Sequence, residues 1–83
     1  MIKIYSTPVC GHCKRAKALL TRLGIEFTEY NVYEDNEAMA VMREMNFKTV
    51  PQISIDNVWI GGYDELNEMN EAGAMDNLIV ERE

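Results

Sequence analysis

The stretch that decides the fold is residues 2–24, IKIYSTPVCGHCKRAKALLTRLG. Its first four residues form a short β-prone run, which the turn-forming Ser6-Thr7-Pro8 ends. From Cys13 onward the apolar residues recur at helical spacing, and Gly24 stands where a glycine commonly ends a helix. The stretch therefore predicts a strand, a loop and a helix, with two cysteines where the loop meets the helix.

The next segment adds a second strand and a second helix. Residues 26–32 alternate in polarity as a half-buried strand does, so strand, helix and strand imply a right-handed crossover between parallel strands. Residues 34–36 offer capping side chains before a second helical stripe. The methionines of the helices are interpreted as core residues rather than as a plastic binding surface: Met42, Met45 and Met69.

The last third of the chain predicts a hairpin and a final helix. Residues 53–55 and 58–60 flank Asp56-Asn57, whose side chains tolerate the positive φ of a two-residue turn. Asp64 can cap a helix that Gly73 ends, and a short apolar tail follows with Met75, Leu78 and Ile79. The order β-α-β-α-β-β-α indicates one α/β domain, residues 1–83, with a four-stranded mixed sheet covered by helices.

Charge and hydropathy exclude several classes of protein. The net charge is −6, yet the first 22 residues hold five basic and no acidic residues, so the cations gather around the cysteines. An acidic chain argues against a nucleic-acid partner, and no apolar run is long enough for a membrane span. The first residues do not resemble a secretory signal, so we expect a cytoplasmic protein whose thiols stay mostly reduced.

The cysteine pair Cys10 and Cys13 has three interpretations. A zinc site needs more ligands than two cysteines and His12 can offer, and the chain has no second cysteine pair. A structural disulfide across so short a loop would add little stability. A CxxC pair that opens a helix after a strand favours the third interpretation, which is thiol–disulfide exchange.

The helical spacing predicts different environments for the two sulfurs. Cys13 lies on the buried stripe, whereas Cys10 lies in the first turn, where free N–H groups and the helix dipole stabilise a thiolate. Protonated His12 would add a nearby positive charge, and the alternative is an exposed loop histidine without influence. Cys10 is therefore the candidate nucleophile.

Two further segments could bind a substrate. Pro51 lacks an N–H and keeps Val50 out of an ordinary ladder, so this strand end could pair with an extended peptide, or it could be a plain turn. The glycines of Gly61-Gly62-Tyr63-Asp64 would let a ligand carboxylate approach the first N–H groups of the last helix. Asp64 could cap that helix, accept a hydrogen bond from a ligand ammonium, or do both.

Taken together, these segments resemble the glutaredoxins, small members of the thioredoxin-like fold. The resemblance runs nearly end to end, through Ile4-Tyr5, the CxxC motif, residues 15–20, residues 49–53, Ile55-Asp56, residues 60–62 and Asp64. It implies a glutathione-dependent oxidoreductase with Cys10 as nucleophile, Cys13 as resolving thiol and a cis peptide before Pro51. It also implies that Thr49 and Val50 hold the glutathione backbone and that Gly62, Tyr63 and Asp64 hold its γ-glutamyl end.

Two departures from the family pattern concern the active site. Many glutaredoxins have Pro-Tyr between the cysteines, whereas this chain has Gly11-His12, a dipeptide similar to that of protein disulfide isomerases. Stabilising the thiolate with His12 would make the disulfide more oxidising, whereas Gly11 loosens the turn. Several members also carry a lysine three residues before the nucleophile, where this chain has Thr7.

The sequence therefore predicts a dithiol glutaredoxin that reduces glutathione mixed disulfides and protein disulfides, with glutathione as co-substrate and no metal. Expected partners are glutathione and disulfide-containing or glutathionylated proteins, ribonucleotide reductase among the candidates, and the protein is expected to act as a monomer. One alternative is a redoxin reduced by thioredoxin reductase that serves ribonucleotide reductase. Another is a binding module in which two protomers hold an iron–sulfur cluster through Cys10 and two glutathiones.

Overall fold

A computed structural model describes residues 1–75 and contains four strands and three helices in the predicted order. The strands are β1 (Ile2–Ser6), β2 (Thr28–Asn31), β3 (Gln52–Ile55) and β4 (Val58–Gly61), and the helices are α1 (Gly11–Arg22), α2 (Asn36–Glu44) and α3 (Tyr63–Glu71). Of the predicted apolar tail, Leu78 and Ile79 lie outside the described residues. None of the helices within residues 1–75 is both long and apolar enough to cross a bilayer.

The sheet has the order β2-β1-β3-β4, with β1 and β3 as its two inner strands. β1 pairs with β2 in parallel and with β3 antiparallel, and β3 and β4 form the antiparallel hairpin. The hairpin turn has positive φ at both Asp56 (49°) and Asn57 (68°), as its sequence predicts. The result is the mixed four-stranded sheet of a thioredoxin-like fold.

Helices cover both faces of the sheet. On one face, α1 and α3 pack against β1 and β3 around a buried core that contains Ile4, Ala16, Leu20, Ile53 and Leu66. On the other face, Ala38 and Met42 of α2 pack with Tyr5 and Val32, and Trp59 borders this second cluster. Fully burying an aliphatic side chain of this size contributes about 1.5–3 kcal/mol, so the two clusters hold the small sheet between the helices.

Three sequence predictions differ from the structure in detail. β2 spans Thr28–Asn31 rather than residues 26–32, because its paired register with β1 runs only from Lys3 opposite Thr28 to Ser6 opposite Asn31. α1 begins at Gly11, before its first apolar residue. Met45 is 44% exposed and not a core residue, because it lies at the C-cap of α2, where the chain turns away at Asn46 with φ 58°.

Candidate active site

Cys10 is the N-cap residue of α1. Its backbone is extended (φ −92°, ψ 115°), and its Sγ accepts a hydrogen bond from the Cys13 N–H at 3.1 Å. The sulfur thus takes the place that a serine or aspartate oxygen usually fills at a helix start. The first turn of α1 has no acidic residue, so the N–H donor and the positive end of the helix dipole face the sulfur unopposed. This is an environment that stabilises a negatively charged sulfur.

Cys13 lies in the opposite kind of environment. It is 1% exposed, whereas Cys10 is half-buried. Burial, together with the hydrogen bond to Cys10, raises the pKa of the Cys13 thiol to about 12, against smaller lowering effects of the Thr7 backbone and the Lys17 charge. Cys13 is therefore protonated at neutral pH. The predicted contrast between a shielded and a more accessible cysteine agrees with these exposures.

The loop before β3 brings Val50 to the nucleophile. The Cys10 thiol donates a hydrogen bond to the Val50 carbonyl oxygen at 3.5 Å, and the peptide between Val50 and Pro51 is cis. β3 begins only at Gln52, so Val50 lies outside its ladder. The Gln52 side-chain amide donates to the backbone carbonyl of Thr49 at 2.9 Å and to its hydroxyl at 3.3 Å, which fixes this loop. Sequence reasoning missed this supporting role of Gln52.

A cavity of about 290 Å³ adjoins this loop. Its walls contain every residue that the sequence nominated for substrate binding: Thr49, Val50, Pro51, Gly62, Tyr63 and Asp64. His12 also lines the cavity, and its ring stacks near that of Tyr63, with centroids 6.3 Å apart and planes at 29°. The structure thus makes His12 part of the cavity wall, whereas the sequence predicts for His12 only a positive charge near Cys10.

The start of α3 corrects the predicted cap. The N-cap is Gly62 and not Asp64, which is the second residue of the helix. The carboxylate of Glu65 accepts a hydrogen bond from the Gly62 N–H at 2.6 Å, so a third-position glutamate caps the helix and leaves the Asp64 side chain at the cavity. Gly61 has φ 113°, and a Cβ there would lie 2.5 Å from Glu65. The glutamate three residues after Gly62 is the signal that could have identified this cap.

A second polar cluster lies near the cysteines. Glu29 on β2 accepts hydrogen bonds from Ser6 Oγ and Lys17 Nζ, each at 2.7 Å. The bonds from Lys17 and then from Ser6 lower the pKa of the Glu29 carboxyl, although burial opposes them. The sequence gives no local signal for this cluster, because it depends on the parallel pairing of β1 and β2. Within residues 1–75, no three His, Cys, Asp or Glu side chains are grouped as a metal site would require.

The chain is similar in sequence to known glutaredoxins. A model of the Glutaredoxin family matches residues 2–60. The chain is 44% identical over 80 residues to a probable glutaredoxin of Synechocystis, with 94% of this chain and 91% of that protein covered. It is 39% identical over 83 residues to glutaredoxin 3 of Escherichia coli, with 94% and 95% covered.

Solved structures show the same likeness. A solution structure of glutaredoxin from Brucella melitensis matches with a TM-score of 0.77 at 40% identity, and 94% of this chain and 86% of that chain are covered. A crystal structure of a buckwheat glutaredoxin–glutathione complex matches with a TM-score of 0.81 at 25% identity, over 96% and 76% of the two chains. These neighbours confirm the predicted thioredoxin-like α/β fold.

Proposed function

Because the chain belongs to the glutaredoxin family and is a glutaredoxin-type thiol–disulfide oxidoreductase, we propose that it uses glutathione to reduce mixed disulfides and protein disulfides. Cys10 is the nucleophile of this proposal and Cys13 the resolving thiol. The observation that carries it is the position of Cys10 Sγ, which caps α1 and lies 3.5 Å from the carbonyl oxygen of Val50, a residue that lines the cavity.

The first half-reaction uses only Cys10. Its thiolate attacks the glutathione sulfur of a mixed disulfide, a new S–S bond forms, and the target thiol leaves with the bonding electron pair and takes up a proton. The thiolate of a second glutathione then attacks the glutathione sulfur on Cys10, so glutathione disulfide leaves and Cys10 is restored. The pKa of about 12 for Cys13 supports this order, because the buried thiol stays protonated while Cys10 reacts.

The cavity supports glutathione as the co-substrate. Val50 and Thr49 offer backbone groups to the main chain of the tripeptide, and Pro51 shapes the same wall. The start of α3 offers the N–H groups of Tyr63 and Asp64 to the γ-glutamyl carboxylate, and the Asp64 carboxylate can accept hydrogen bonds from its ammonium. The buckwheat protein of the same family forms a complex with glutathione, which also supports this assignment.

The two cysteine roles are tested with single variants. Cys10→Ser should abolish deglutathionylation of a glutathionylated peptide, whereas Cys13→Ser should retain it and lose the reduction of protein disulfides. Equal losses in the two variants would contradict the assigned roles. Turnover with glutathione, compared with turnover with thioredoxin reductase, separates the proposal from the alternative redoxin function.

The binding role of Asp64 has its own test. Asp64→Asn should raise the KM for the glutathionylated peptide about tenfold with little change in kcat, because a charge-assisted hydrogen bond becomes a neutral one. Glu68→Gln is the matched control, since Glu68 is exposed one turn further along α3 and does not line the cavity. An unchanged KM in Asp64→Asn would remove the ammonium contact from the proposal.

The setting of the activity follows from the same proposal. A glutathione-dependent enzyme needs a reducing compartment, so we place its activity in the cytoplasm, with disulfide-containing or glutathionylated proteins as substrates. Ribonucleotide reductase is one such candidate. The proposed reaction needs a single chain, no metal and no organic cofactor besides glutathione.

A further inference from the structure

The carboxylate of Glu29 on β2 connects its strand to β1 and to α1, the helix that begins next to Cys10. Its Oε2 accepts hydrogen bonds from Ser6 of β1 and from Lys17 of α1, both at 2.7 Å. Ser6 is buried, whereas the side chains of Lys17 and Glu29 are 32% and 38% exposed. Because two donors share one oxygen, the carboxylate holds the Lys17 ammonium in a fixed place beside β2.

Lys17 is also a neighbour of the buried thiol. It lies four residues after Cys13 on α1, so the two side chains occupy the same side of the helix one turn apart. Its positive charge lowers the pKa of Cys13, while burial and the neighbouring Cys10 raise it. Cys13 therefore has the Lys17 ammonium on its own helix, and the Glu29 carboxylate faces that ammonium from β2.

We propose that Glu29 is a positioning residue that sets, through Lys17, how fast Cys13 resolves a mixed disulfide on Cys10. The carboxylate draws the ammonium toward β2 and offsets its charge, so Cys13 is held protonated and resolution is slowed. A mixed disulfide on Cys10 then persists long enough for an external thiol to reach it. The inference rests on the proposed role of Cys13 as resolving thiol.

The affected step is an intramolecular thiol–disulfide exchange. Cys13 loses its proton to water, its thiolate forms the S–S bond with Cys10, and the bond from Cys10 to the bound thiol breaks, so that this thiol leaves as a thiolate. A tenfold gain in thiolate is partly offset by lower nucleophilicity, with a Brønsted coefficient of about 0.4–0.5, and accelerates the step about three- to fourfold. Glu29→Gln should therefore accelerate resolution about threefold, and Lys17→Met should slow it by a similar factor.

The opposite changes expected in the resolution rates of Glu29→Gln and Lys17→Met separate this positioning role from a structural one. Both substitutions destroy the same ion pair, so loss of structural support alone would move both variants in the same direction. Asp56→Asn is the control, because it also removes a carboxylate from an ion pair, with the N-terminal ammonium, but lies at the far end of the sheet from Ser6. It should leave the rate of resolution unchanged.

The test follows the reaction of the reduced full chain with the aromatic disulfide DTNB by stopped flow. Cys10 releases one nitrothiobenzoate as the mixed disulfide forms, and attack by Cys13 releases a second, whose rate is the readout and which Cys13→Ser should abolish. A faster second release in Glu29→Gln together with a slower one in Lys17→Met supports the inference. Shifts in the same direction, or none, overturn it while the dithiol function stands. A wild-type chain that releases only one nitrothiobenzoate overturns the inference and the dithiol mechanism together.

Discussion

The reactivity of Cys13 in a Cys10→Ser variant is the most direct test of the difference between the two thiols. The variant leaves Cys13 as the only thiol of the chain. A pKa of about 12 instead of 9.0 lowers the thiolate fraction at neutral pH about a thousandfold. The higher nucleophilicity of a more basic thiolate, with a Brønsted coefficient of about 0.4–0.5, recovers about 15- to 30-fold. We therefore expect Cys13 to react with DTNB about 30- to 60-fold more slowly than an unstructured cysteine.

The Cys10→Ser substitution itself removes only part of the upward shift in the pKa of Cys13. Burial is the largest cause of the raised pKa and remains in the variant, whereas the smaller contributions of Cys10 disappear. The 1% exposure of Cys13 additionally hinders an aromatic reagent. With the Cys10 contributions lost and the shielding of Cys13 retained, we expect Cys13 in the variant to react with DTNB at least about tenfold more slowly than an unstructured cysteine.

The assay compares each protein with its own unfolded state. The nitrothiobenzoate released by reduced Cys10→Ser is followed at neutral pH, in buffer and then in concentrated urea, where the rate should rise to that of an ordinary cysteine. Cys13→Ser, which keeps only Cys10, should react at least as fast folded as unfolded. If folded Cys10→Ser reacted at its unfolded rate, the raised pKa and the shielding of Cys13 would both be refuted.

Three further predictions concern stability. Burial raises the pKa of Cys13 above its unfolded value, so the stability that the protonated thiol contributes is complete below about pH 9 and is lost as the pH rises toward 12. In urea unfolding of the reduced wild type, the free energy of unfolding should fall by up to about 1.4 kcal/mol per pH unit in this range. The free energy of unfolding of Cys13→Ala should not show this fall. Hydrogen bonds from Lys17 and Ser6 lower the pKa of Glu29, so the Lys17–Glu29 pair contributes about 0.2–1 kcal/mol to the free energy of unfolding above the ordinary pKa of 4.5. This contribution is lost as the pH falls through the lowered pKa of Glu29. A difference in free energy of unfolding between wild type and Glu29→Gln that widened on acidification would contradict this prediction. Leu20→Ala should cost about 2–5 kcal/mol in chemical unfolding because Leu20 is fully buried, and Met45→Ala at the 44% exposed position should cost no more than about 0.5 kcal/mol.

Features that depend on nearby residues could be predicted from the sequence. The hairpin turn follows from Asp56-Asn57, and the ends of α1 and α3 follow from Gly24 and Gly73, which have the positive φ expected after a helix. The different burial of Cys10 and Cys13 follows from helical spacing alone. In each case the chain segment itself determines the outcome.

Features that depend on distant segments could not be predicted. The start of β2 is set by the register of its pairing with β1, which periodicity does not reveal. The contact of Lys17 with Glu29 joins a helix to a strand, so it exists only after the sheet is assembled.

The inner positions of β1 and β3 have a consequence for how the sheet opens. β1, like β3, has a hydrogen-bonded neighbour on each side, whereas β2 and β4 are edge strands with one neighbour each. Fraying from either edge must release β2 or β4 first, so the amides of β1 and β3 should be the last of the sheet to exchange with deuterium. The loops that carry Cys10 and Val50 are thus attached to the two inner strands of the sheet, which keeps the Cys10 sulfur close to the Val50 carbonyl while the edge strands fluctuate.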